Sequence, residues 1–229
     1  MAHSYRKYIV LVFSGVSLFL LSYSVFPSET DPQSESELNW VIKNIKEKEK
    51  SLKTFTAKFV QNKKTELLQE PLHSEGLIYF DCTGKMLLKV TSPSPLVLLL
   101  KNNLLLVYDP DLSKAKKRRL GKSDNILKKY FGIGQSVEEL KKRYKIQLTS
   151  KTHSGTYHLK LIPKMKAIAR HIDTIEVAVS PKNWLPERIH FKEVKGDHTS
   201  VWLQFTSINE PLPPGIFTIN VPESNEDHL

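Results

Sequence analysis

The stretch Leu96–Pro110 reads LVLLLKNNLLLVYDP, two short apolar runs on either side of Lys101, Asn102 and Asn103. Asparagine tolerates the left-handed backbone of a tight hairpin turn, so two antiparallel strands are predicted. A strand with one face in water alternates apolar and polar residues, and these runs do not. Spanning a membrane takes about 20 apolar residues in a helix or about 9–11 alternating residues in a barrel strand. The hairpin therefore predicts a sheet covered on both faces or a sheet that lines an apolar cavity.

Strand-like patterns also occur on both sides of this hairpin. The first begins at Thr54, where apolar and polar residues alternate as far as Val60. The other predicted strands are Gly76–Asp81, Met86–Val90, Lys145–Leu148, Tyr157–Ile162, Ile172–Val179, Glu187–Val194, Ser200–Ser207 and Phe217–Val221. Turn-forming residues separate these segments at spacings of about 8–12 residues, which is typical of a sheet built from hairpins. A single sheet of about ten or eleven strands must curl or split.

Three helices are predicted from capping signals and helical spacing. A capping box at Ser34–Glu37 (SESE) precedes apolar residues at helical spacing up to Ser51. Two further helices are predicted over Asn125–Phe131 and, after a second capping box, over Leu140–Tyr144. The predicted fold class is α+β: a single curled, unclosed antiparallel β-barrel with helices covering its opening.

The N-terminal segment 1–24 has the pattern of a secretory signal peptide. A basic start is followed by an apolar run from Tyr8 to Leu21 and small residues up to Ser24, where we expect cleavage. The alternative is an uncleaved anchor, because the run extended to Phe26 has about 19 residues. Residues 25–34 carry two prolines and small polar residues, which predict a flexible linker. Residues 35–229 are then the folded domain.

Charge and cysteine content restrict the partners. The chain has 34 basic and 24 acidic side chains, a net charge of +10, which becomes +8 without Arg6 and Lys7 of the signal peptide. Cys82 is the only cysteine, so no intramolecular disulfide can form. We expect a monomer stabilised by its core alone, which a chain of this length can bury. Export and the absence of aromatic residues among the clustered basic ones exclude nucleic acid as a partner.

Motifs for catalysis or metal binding do not occur in the sequence. The eight histidines include no H-E-x-x-H pair, and there is no C-x-x-C, no G-x-S-x-G and no glycine-rich phosphate loop. His171 and Asp173 share a strand face but have no third ligand beside them, so a solvated strand is the better interpretation. We therefore expect no enzyme activity, no metal and no cofactor.

Residues 114–119 (KAKKRR) form the densest charge cluster. Its basic members are Lys114, Lys116, Lys117, Arg118 and Arg119. Two interpretations stay open from the sequence. The cluster is either a solvated loop, as charge runs commonly are, or a docking patch that makes transient contact with an anionic membrane or an acidic partner.

Several short motifs, taken in order, resemble the LolA family of outer-membrane lipoprotein carrier proteins in diderm bacteria. These are Phe55–Phe59 (FTAKF) with Gln61, Gly76, Pro93, Tyr108–Pro110 (YDP), and Leu212 and Pro213 leading to Phe217, Thr218 and Pro222. The resemblance runs from Leu38 to Pro222, and the order of the motifs is its most specific part. It implies an unclosed antiparallel barrel with helices at its mouth. It also implies a periplasmic protein that shields lipoprotein acyl chains between an inner-membrane lipoprotein-releasing transporter and an outer-membrane acceptor.

Strand parity and the resemblance together select the residues that would line a hydrophobic cavity. Met86, Leu88 and Val90 share one face of a predicted strand, at positions that face inward in the family. The hairpin contributes Leu98, Leu105 and Val107, although its parity is open because both alternating sets are apolar. The full predicted lining is Phe59, Met86, Leu88, Val90, Leu98, Leu105 and Val107.

One position departs from the family pattern. Family members commonly carry an arginine followed by proline after the second strand, and that arginine holds the lid helices closed. Cys82 and Thr83 occupy these positions here. Cys82 is therefore the lid-latch position with a different side chain.

Three functions remain open from the sequence. The leading one is a periplasmic carrier for lipoproteins. The alternative is a periplasmic binding or transport protein for another lipid or glycolipid. The third is a hydrolase, which would require a polar constellation in the cavity.

Overall fold

The computed structural model of the protein describes residues 32–66, 68–120, 137–220 and 226–228. These residues contain three helices, α1 (Pro32–Ser51), α2 (Val137–Arg143) and α3 (Lys166–Ala169). The strands are β1 (Thr54–Lys64), β2 (Leu72–Asp81), β3 (Lys85–Ser92), β4 (Leu96–Lys101), β5 (Leu104–Asp109), β6 (Lys114–Arg119), β7 (Tyr144–Lys151), β8 (Tyr157–Pro163), β9 (Ile172–Val179), β10 (Pro186–Glu193), β11 (His198–Ile208) and β12 (Glu226–His228). The predicted signal peptide and the predicted helix over Asn125–Phe131 lie outside these residues.

All twelve strands belong to one sheet in the order β12-β6-β5-β4-β3-β2-β1-β11-β10-β9-β8-β7. Neighbouring strands are antiparallel, except that β12 runs parallel to β6. The sheet is not closed, because β12 and β7 form its two ends. A sheet of this many strands curls, so the predicted α+β fold with an unclosed antiparallel barrel is confirmed.

The hairpin of β4 and β5 has the predicted turn, and its register shows which side chains share a face of the sheet. Asn102 and Asn103 have φ values of 53° and 59°, the left-handed conformation that the turn requires. Leu98 pairs with Leu88 on β3 and with Val107 on β5. We call the face that carries Leu88, Leu98 and Val107 the inner face, and the face that carries their neighbours on each strand the outer face.

The outer face of this region is covered by the segment that follows β11. Leu87, Leu99, Leu106 and Ala115 form a buried cluster there, and Ile216, Phe217 and Ile219 pack against it. The ammonium group of Lys85 lies 5.9 Å from the ring centre of Phe217. The hairpin is therefore apolar on both sides because one set of leucines packs under this C-terminal segment.

Helix α1 lies on the inner face, over β7–β9. Register carries that face across the sheet, from Val201 through Ile189 and Val177 to Leu159. The buried cluster there contains Val41 of α1 with Tyr157, Leu159, Leu161 and Val179, and Leu38 and Ile45 pack against it. The helix thus covers the part of the inner face that lies on β7–β9.

Replacing Trp40 by alanine is expected to weaken the attachment of α1. Its ring packs edge-on against Tyr157 and Trp184, with centroid distances of 5.9 and 5.1 Å. Aromatic pairs contribute about 0.5–1.5 kcal/mol each beyond area, so the free energy of unfolding should fall by about 1–3 kcal/mol. Asn39→Ala, at an exposed position of the same helix, should stay within about 0.5 kcal/mol of wild type. Urea unfolding measures both, and equal losses would contradict the packing role of Trp40.

Two sequence-based expectations about local structure are wrong. Residues 217–220, predicted as the start of a strand, form a turn and irregular backbone after Pro213, Pro214 and Gly215, where Thr218 N–H donates to the Gly215 carbonyl over 2.9 Å. Their side chains cover the outer face in place of pairing. Residues 114–119 are the strand β6 and not a loop, because their backbone pairs with β5 and Ala115 is buried under the C-terminal segment.

The boundary between linker and first helix also differs from the prediction. Helix α1 begins at Pro32, two residues before the predicted cap at Ser34 and inside the predicted linker. Proline is tolerated in the first turn of a helix because its missing N–H has no partner there in any case. Helix α2 was predicted over Leu140–Tyr144 but spans Val137–Arg143, so it begins inside the second predicted capping box.

Candidate functional site

The seven residues predicted to line a cavity all lie on the inner face. Two rows of register partners connect them across β3, β4 and β5. Leu88, Leu98 and Val107 form one row, and Met86, Leu100 and Leu105 form the next. Val90 pairs with Gly76 on β2, which pairs with Phe59 on β1. We call Phe59, Met86, Leu88, Val90, Leu98, Leu105 and Val107 the apolar wall.

Burial divides the apolar wall into a floor and an accessible surface. Phe59, Met86 and Val90 are at most 7% exposed and belong to a core cluster with Phe55 and Phe80. The other four residues of the wall are only half-buried; they are Leu88, Leu98, Leu105 and Val107. A ligand on the inner face would therefore contact these four and rest above the other three.

Sequence reasoning missed other inner-face residues beside this wall. They are Phe55, Ala57, Ile78, Phe80, Leu96, Leu100, Leu120, Val201, Leu203 and Phe205. The alternation of Phe55, Ala57 and Phe59 on β1 was a sufficient signal for the first two. The three residues of β11, Val201, Leu203 and Phe205, could be assigned to the inner face only from the pairing of β1 with β11, which local sequence patterns do not contain.

Gly76 allows the strands under the apolar wall to approach closely. A Cβ atom at this position would overlap the backbone carbonyl oxygen of Lys89 and would lie 2.9 Å from Cε1 of Phe59. The Phe59 ring therefore fills the space that a side chain on Gly76 would occupy. The motif position Gly76 serves packing on the inner face.

Cys82 lies at the end of β2, in the turn to β3, and its side chain is exposed. Its backbone N–H donates to the Lys53 carbonyl over 2.8 Å, just beyond the end of α1. Partial burial would raise the pKa of the neighbouring Asp81 carboxyl, but hydrogen bonds from Thr83 and the Lys85 ammonium hold that pKa below its usual value. The turn is thus fixed by Asp81 and by backbone contacts, without help from the thiol.

Cys82→Ser is expected to leave stability unchanged. An exposed side chain that forms no disulfide contributes little, so the free energy of unfolding should stay within about 0.5 kcal/mol of wild type. Thermal melts of both proteins, with and without a reducing agent, measure this. A lower melting temperature of the variant, or of the wild type under reduction, would show that the thiol has a structural role.

The basic residues of β6 divide between the two faces of the sheet. Lys116 pairs with Val107 and Arg118 pairs with Leu105, so both stand on the inner face beside the apolar wall. Lys117 pairs with Leu106 and Arg119 with Leu104 on the outer face, and Lys114 pairs with Asp109. The sequence-predicted docking patch is therefore not one surface.

Two clefts in the structure do not coincide with the apolar wall. One, of about 350 Å³, is lined by Asp81, Lys85, Lys101 and residues 212, 213 and 215–218. The other, of about 370 Å³, lies around Arg188 and Trp202. Both have charged linings, which makes them poor sites for an acyl chain, since burying a charge against hydrocarbon is costly.

The apolar wall itself offers no acid, base or nucleophile, since its seven side chains are hydrocarbon or thioether. Within the described ranges, no three His, Cys, Asp or Glu side chains converge as a metal site would require. None of the helices in the described part of the chain has the length and apolar character needed to cross a membrane. What the wall can do chemically is bind apolar groups.

Comparison with known proteins relates the sequence to one family and the fold to several solved structures. The family model described as outer membrane lipoprotein carrier protein LolA matches residues 50–220. No curated protein matches the chain in sequence. An uncharacterized conserved protein from Thermus thermophilus shares the fold with a TM-score of 0.55 at 7% identity, over 84% of this chain and 99% of that one.

Two further solved structures are more distant in geometry. A LolA superfamily protein from Nitrosomonas europaea is 15% identical, with a TM-score of 0.39 over 78% of this chain and 97% of that one. The lipoprotein LppX from Mycobacterium tuberculosis is 13% identical, with a TM-score of 0.43 over 82% of this chain and 100% of that one.

Proposed function

The chain belongs to the LolA family of outer membrane lipoprotein carrier proteins, and we propose that it is a periplasmic carrier that binds lipoprotein acyl chains. The apolar wall would hold these chains while the protein moves them from the inner to the outer membrane. The observation that carries the proposal is the row Leu88, Leu98 and Val107, three apolar side chains left half-buried on the inner face. Ordinary core residues at the centre of a sheet would be covered.

The chemistry of the wall suits a cargo that must be both bound and released. Transfer of hydrocarbon out of water contributes about 0.8 kcal/mol per CH₂ group. Contact with a few CH₂ groups of an acyl chain therefore gives substantial affinity. The accessible leucines present no polar group and can change rotamer, so they can adapt to chains of different length. Such binding is non-directional, which suits a carrier of many different lipoproteins.

The proposed carrier function requires two protein partners. An inner-membrane lipoprotein-releasing transporter would supply the cargo, and an outer-membrane acceptor would receive it. Handover requires that the cover of the inner face can move, and α1 is the described helix that covers part of it.

We propose that position 82 influences that cover. Cys82 lies beside the C-terminal end of α1, where helix carbonyl groups carry partial negative charge. Cys82→Arg would place a guanidinium with several donors next to these carbonyls, so release of a bound acyl probe should slow at least about threefold, a conservative value for one added charged hydrogen bond. Stopped-flow release measurements test this, with Cys82→Lys as a control for charge alone. Equal release rates for the wild type and Cys82→Arg would exclude a latch at this position.

The carrier function is tested by release of lipoproteins from spheroplasts of the native bacterium. Purified wild-type protein added outside the spheroplasts should bring newly made lipoproteins into the supernatant, in complexes that contain both proteins. A Leu88→Asn variant should release far less, while Arg119→Gln, changed on the outer face, should match the wild type. Both variants must first show cooperative melting within a few degrees of the wild type.

Two outcomes would count against the proposal. Absence of lipoproteins from the supernatant, with another lipid or glycolipid copurifying with the protein, would favour the alternative function of binding that lipid. Release that is equal for the wild type and Leu88→Asn would show that the apolar wall is not the binding surface.

A further inference from the structure

We infer that Gln61 and Ser74 bind the acyl carbonyl of the cargo, the ester or amide group that joins a hydrocarbon chain to the lipidated cysteine of a lipoprotein. This inference rests on the proposed function, because it names the polar group of the cargo that the same site recognises. It concerns the inner face of β1 and β2, next to the floor of the apolar wall.

Gln61 and Ser74 are register partners that stand beside the apolar wall. Gln61 follows Phe59 by two positions on β1, and Ser74 precedes Gly76 by two positions on β2. Because side chains alternate along a strand, both polar side chains are on the inner face. The pair of Phe59 and Gly76 continues to Val90 on β3. Along β1 and β2, the first polar side chains that an acyl chain on the wall would meet are therefore Gln61 and Ser74.

Both polar side chains are available to a ligand. Within the part of the chain that the structure describes, neither Gln61 nor Ser74 forms a side-chain hydrogen bond, and both are half-buried. No described side-chain nitrogen or oxygen is at once fully buried and without a hydrogen-bond partner. The amide of Gln61 and the hydroxyl of Ser74 must therefore be open to solvent or to a ligand.

The adjacent polar pair on the outer face supplies an internal comparison. Asn62 and His73 are the next register partners on the same two strands, and Asn62 Oδ1 lies 2.7 Å from His73 Nδ1. That pair satisfies its own polar groups across the strands. Gln61 and Ser74 also lie directly opposite each other but form no such bond. Their amide and hydroxyl hydrogens can therefore be donated to a carbonyl oxygen.

The charges near this position favour a neutral ligand group. Lys63 follows Gln61 on the inner face of β1, and its ammonium lies 3.5 Å from the Glu193 carboxylate and 3.8 Å from the Asp197 carboxylate. One cation thus faces two anions. The carboxylate of a free fatty acid would meet net negative charge here, whereas an ester or amide carbonyl is neutral and needs only hydrogen-bond donors.

The distance along the strands suits a single acyl chain. Ser74 lies four residues from Ile78, which pairs with Leu88 on β3. A strand rises about 3.3 Å per residue, so the carbonyl contact and the accessible Leu88 are about 13 Å apart along the strand direction. An extended palmitoyl chain is longer than that. Beyond Leu88, Met86 and Phe80 are buried, so the far end of the chain would rest against a closed core.

The test compares two lipopeptides that differ only in the link to the hydrocarbon. One carries dipalmitoylglyceryl cysteine, which has ester carbonyls, and the other is its dihexadecyl ether analogue. Displacement of the uncharged fluorescent probe N-phenylnaphthylamine gives their affinities for wild type, Gln61→Leu and Gln204→Leu. Gln204 is exposed on the outer face of β11, so its variant makes the same chemical change away from the site.

Wild-type protein should bind the ester lipopeptide about fivefold more tightly than the ether, as expected for a hydrogen bond to a neutral carbonyl. Gln61→Leu should remove this preference and bind the ether at least as well as the wild type, because leucine extends the apolar surface. Gln204→Leu should keep the wild-type ratio. Structural damage would weaken both lipopeptides alike, so the ratio of the two affinities reports recognition of the carbonyl.

Three results would count against the inference. Equal affinity of the wild type for the two lipopeptides, with Leu88→Asn weakening both, would overturn the carbonyl contact and leave the carrier function intact. An ester preference that persists in Gln61→Leu would also overturn the contact. Failure of both lipopeptides to displace the probe, while palmitoylglycerol does displace it, would contradict the proposed function itself and assign the apolar wall to another lipid.

Discussion

Replacing Gly76 by alanine is expected to lower the free energy of unfolding by about 3 kcal/mol or more, at the upper end of what overpacking costs. The added Cβ would overlap the Lys89 carbonyl oxygen, which belongs to the backbone of β3 and cannot rotate away. Phe59 is also in the way, with Cε1 at 2.9 Å. Strands β2 and β3 would have to separate at the irregularity between Glu75 and Gly76, under the floor of the apolar wall.

The matched control for this change is Gly84→Ala. Gly84 lies in the β2–β3 turn with a φ of 91°, and a Cβ there would meet nothing within 4 Å. Its cost is then the conformational one alone, about 1–2 kcal/mol for a left-handed residue other than glycine. Urea unfolding of both variants gives the comparison. A smaller loss for Gly76→Ala than for Gly84→Ala would contradict the close approach of β2 and β3.

The second large effect is a difference between asparagine substitutions at Leu87 and Leu88, which are adjacent in β3 and lie on opposite faces of the sheet. Leu88→Asn is expected to weaken binding of a fluorescent fatty-acyl probe about tenfold or more, equivalent to about 1.4 kcal/mol. Leu88 is half-buried on the inner face, so the amide can reach water in the unliganded protein. The melting temperature should therefore fall by only a few degrees.

Leu87→Asn should show the opposite balance. Leu87 is 0% exposed and packs under the C-terminal segment, so the variant buries an unpaired amide and loses packing. The cost should be about 2–5 kcal/mol of unfolding free energy, and the fraction that stays folded should bind the probe normally. Val90, at 7% exposure, should behave like Leu87 in stability. Loss of folding for Leu88→Asn with preserved probe affinity would show that Leu88 is ordinary core.

Local sequence patterns were sufficient to predict most strands of the sheet. Alternation identified β1, and the asparagine pair at 102 and 103 identified the hairpin turn, because both depend on neighbours within a few residues. Parity in the Leu96–Tyr108 hairpin was different, since both faces are apolar and a shift by one residue leaves the pattern unchanged. The family resemblance suggested Met86, Leu88 and Val90 as inward, and register then extends the same face to Leu98 and Val107.

The remaining differences depend on contacts between distant parts of the chain. The basic run at 114–119 has little strand propensity, and it becomes β6 because β5 offers its free edge and because Ala115 fits under the C-terminal segment. Residues 216–219 look like a strand because they are apolar, but they use that character to cover Leu87, Leu99 and Leu106. Neither outcome can be read from a local window, because the C-terminal segment and the strands that it covers lie about one hundred residues or more apart in the sequence.

The most direct test of the carrier function asks where the acyl chain lies. A photoreactive amino acid is placed at Leu98 on the inner face or at Val97 on the outer face, two adjacent and half-buried positions of β4. Each protein is illuminated in the periplasm of cells whose lipoprotein acyl chains are radiolabelled, and crosslinked species are identified by mass spectrometry. The account predicts labelled acyl chains attached at position 98 and none at position 97. Attachment at position 97 alone, or at neither position in a folded protein, would contradict it.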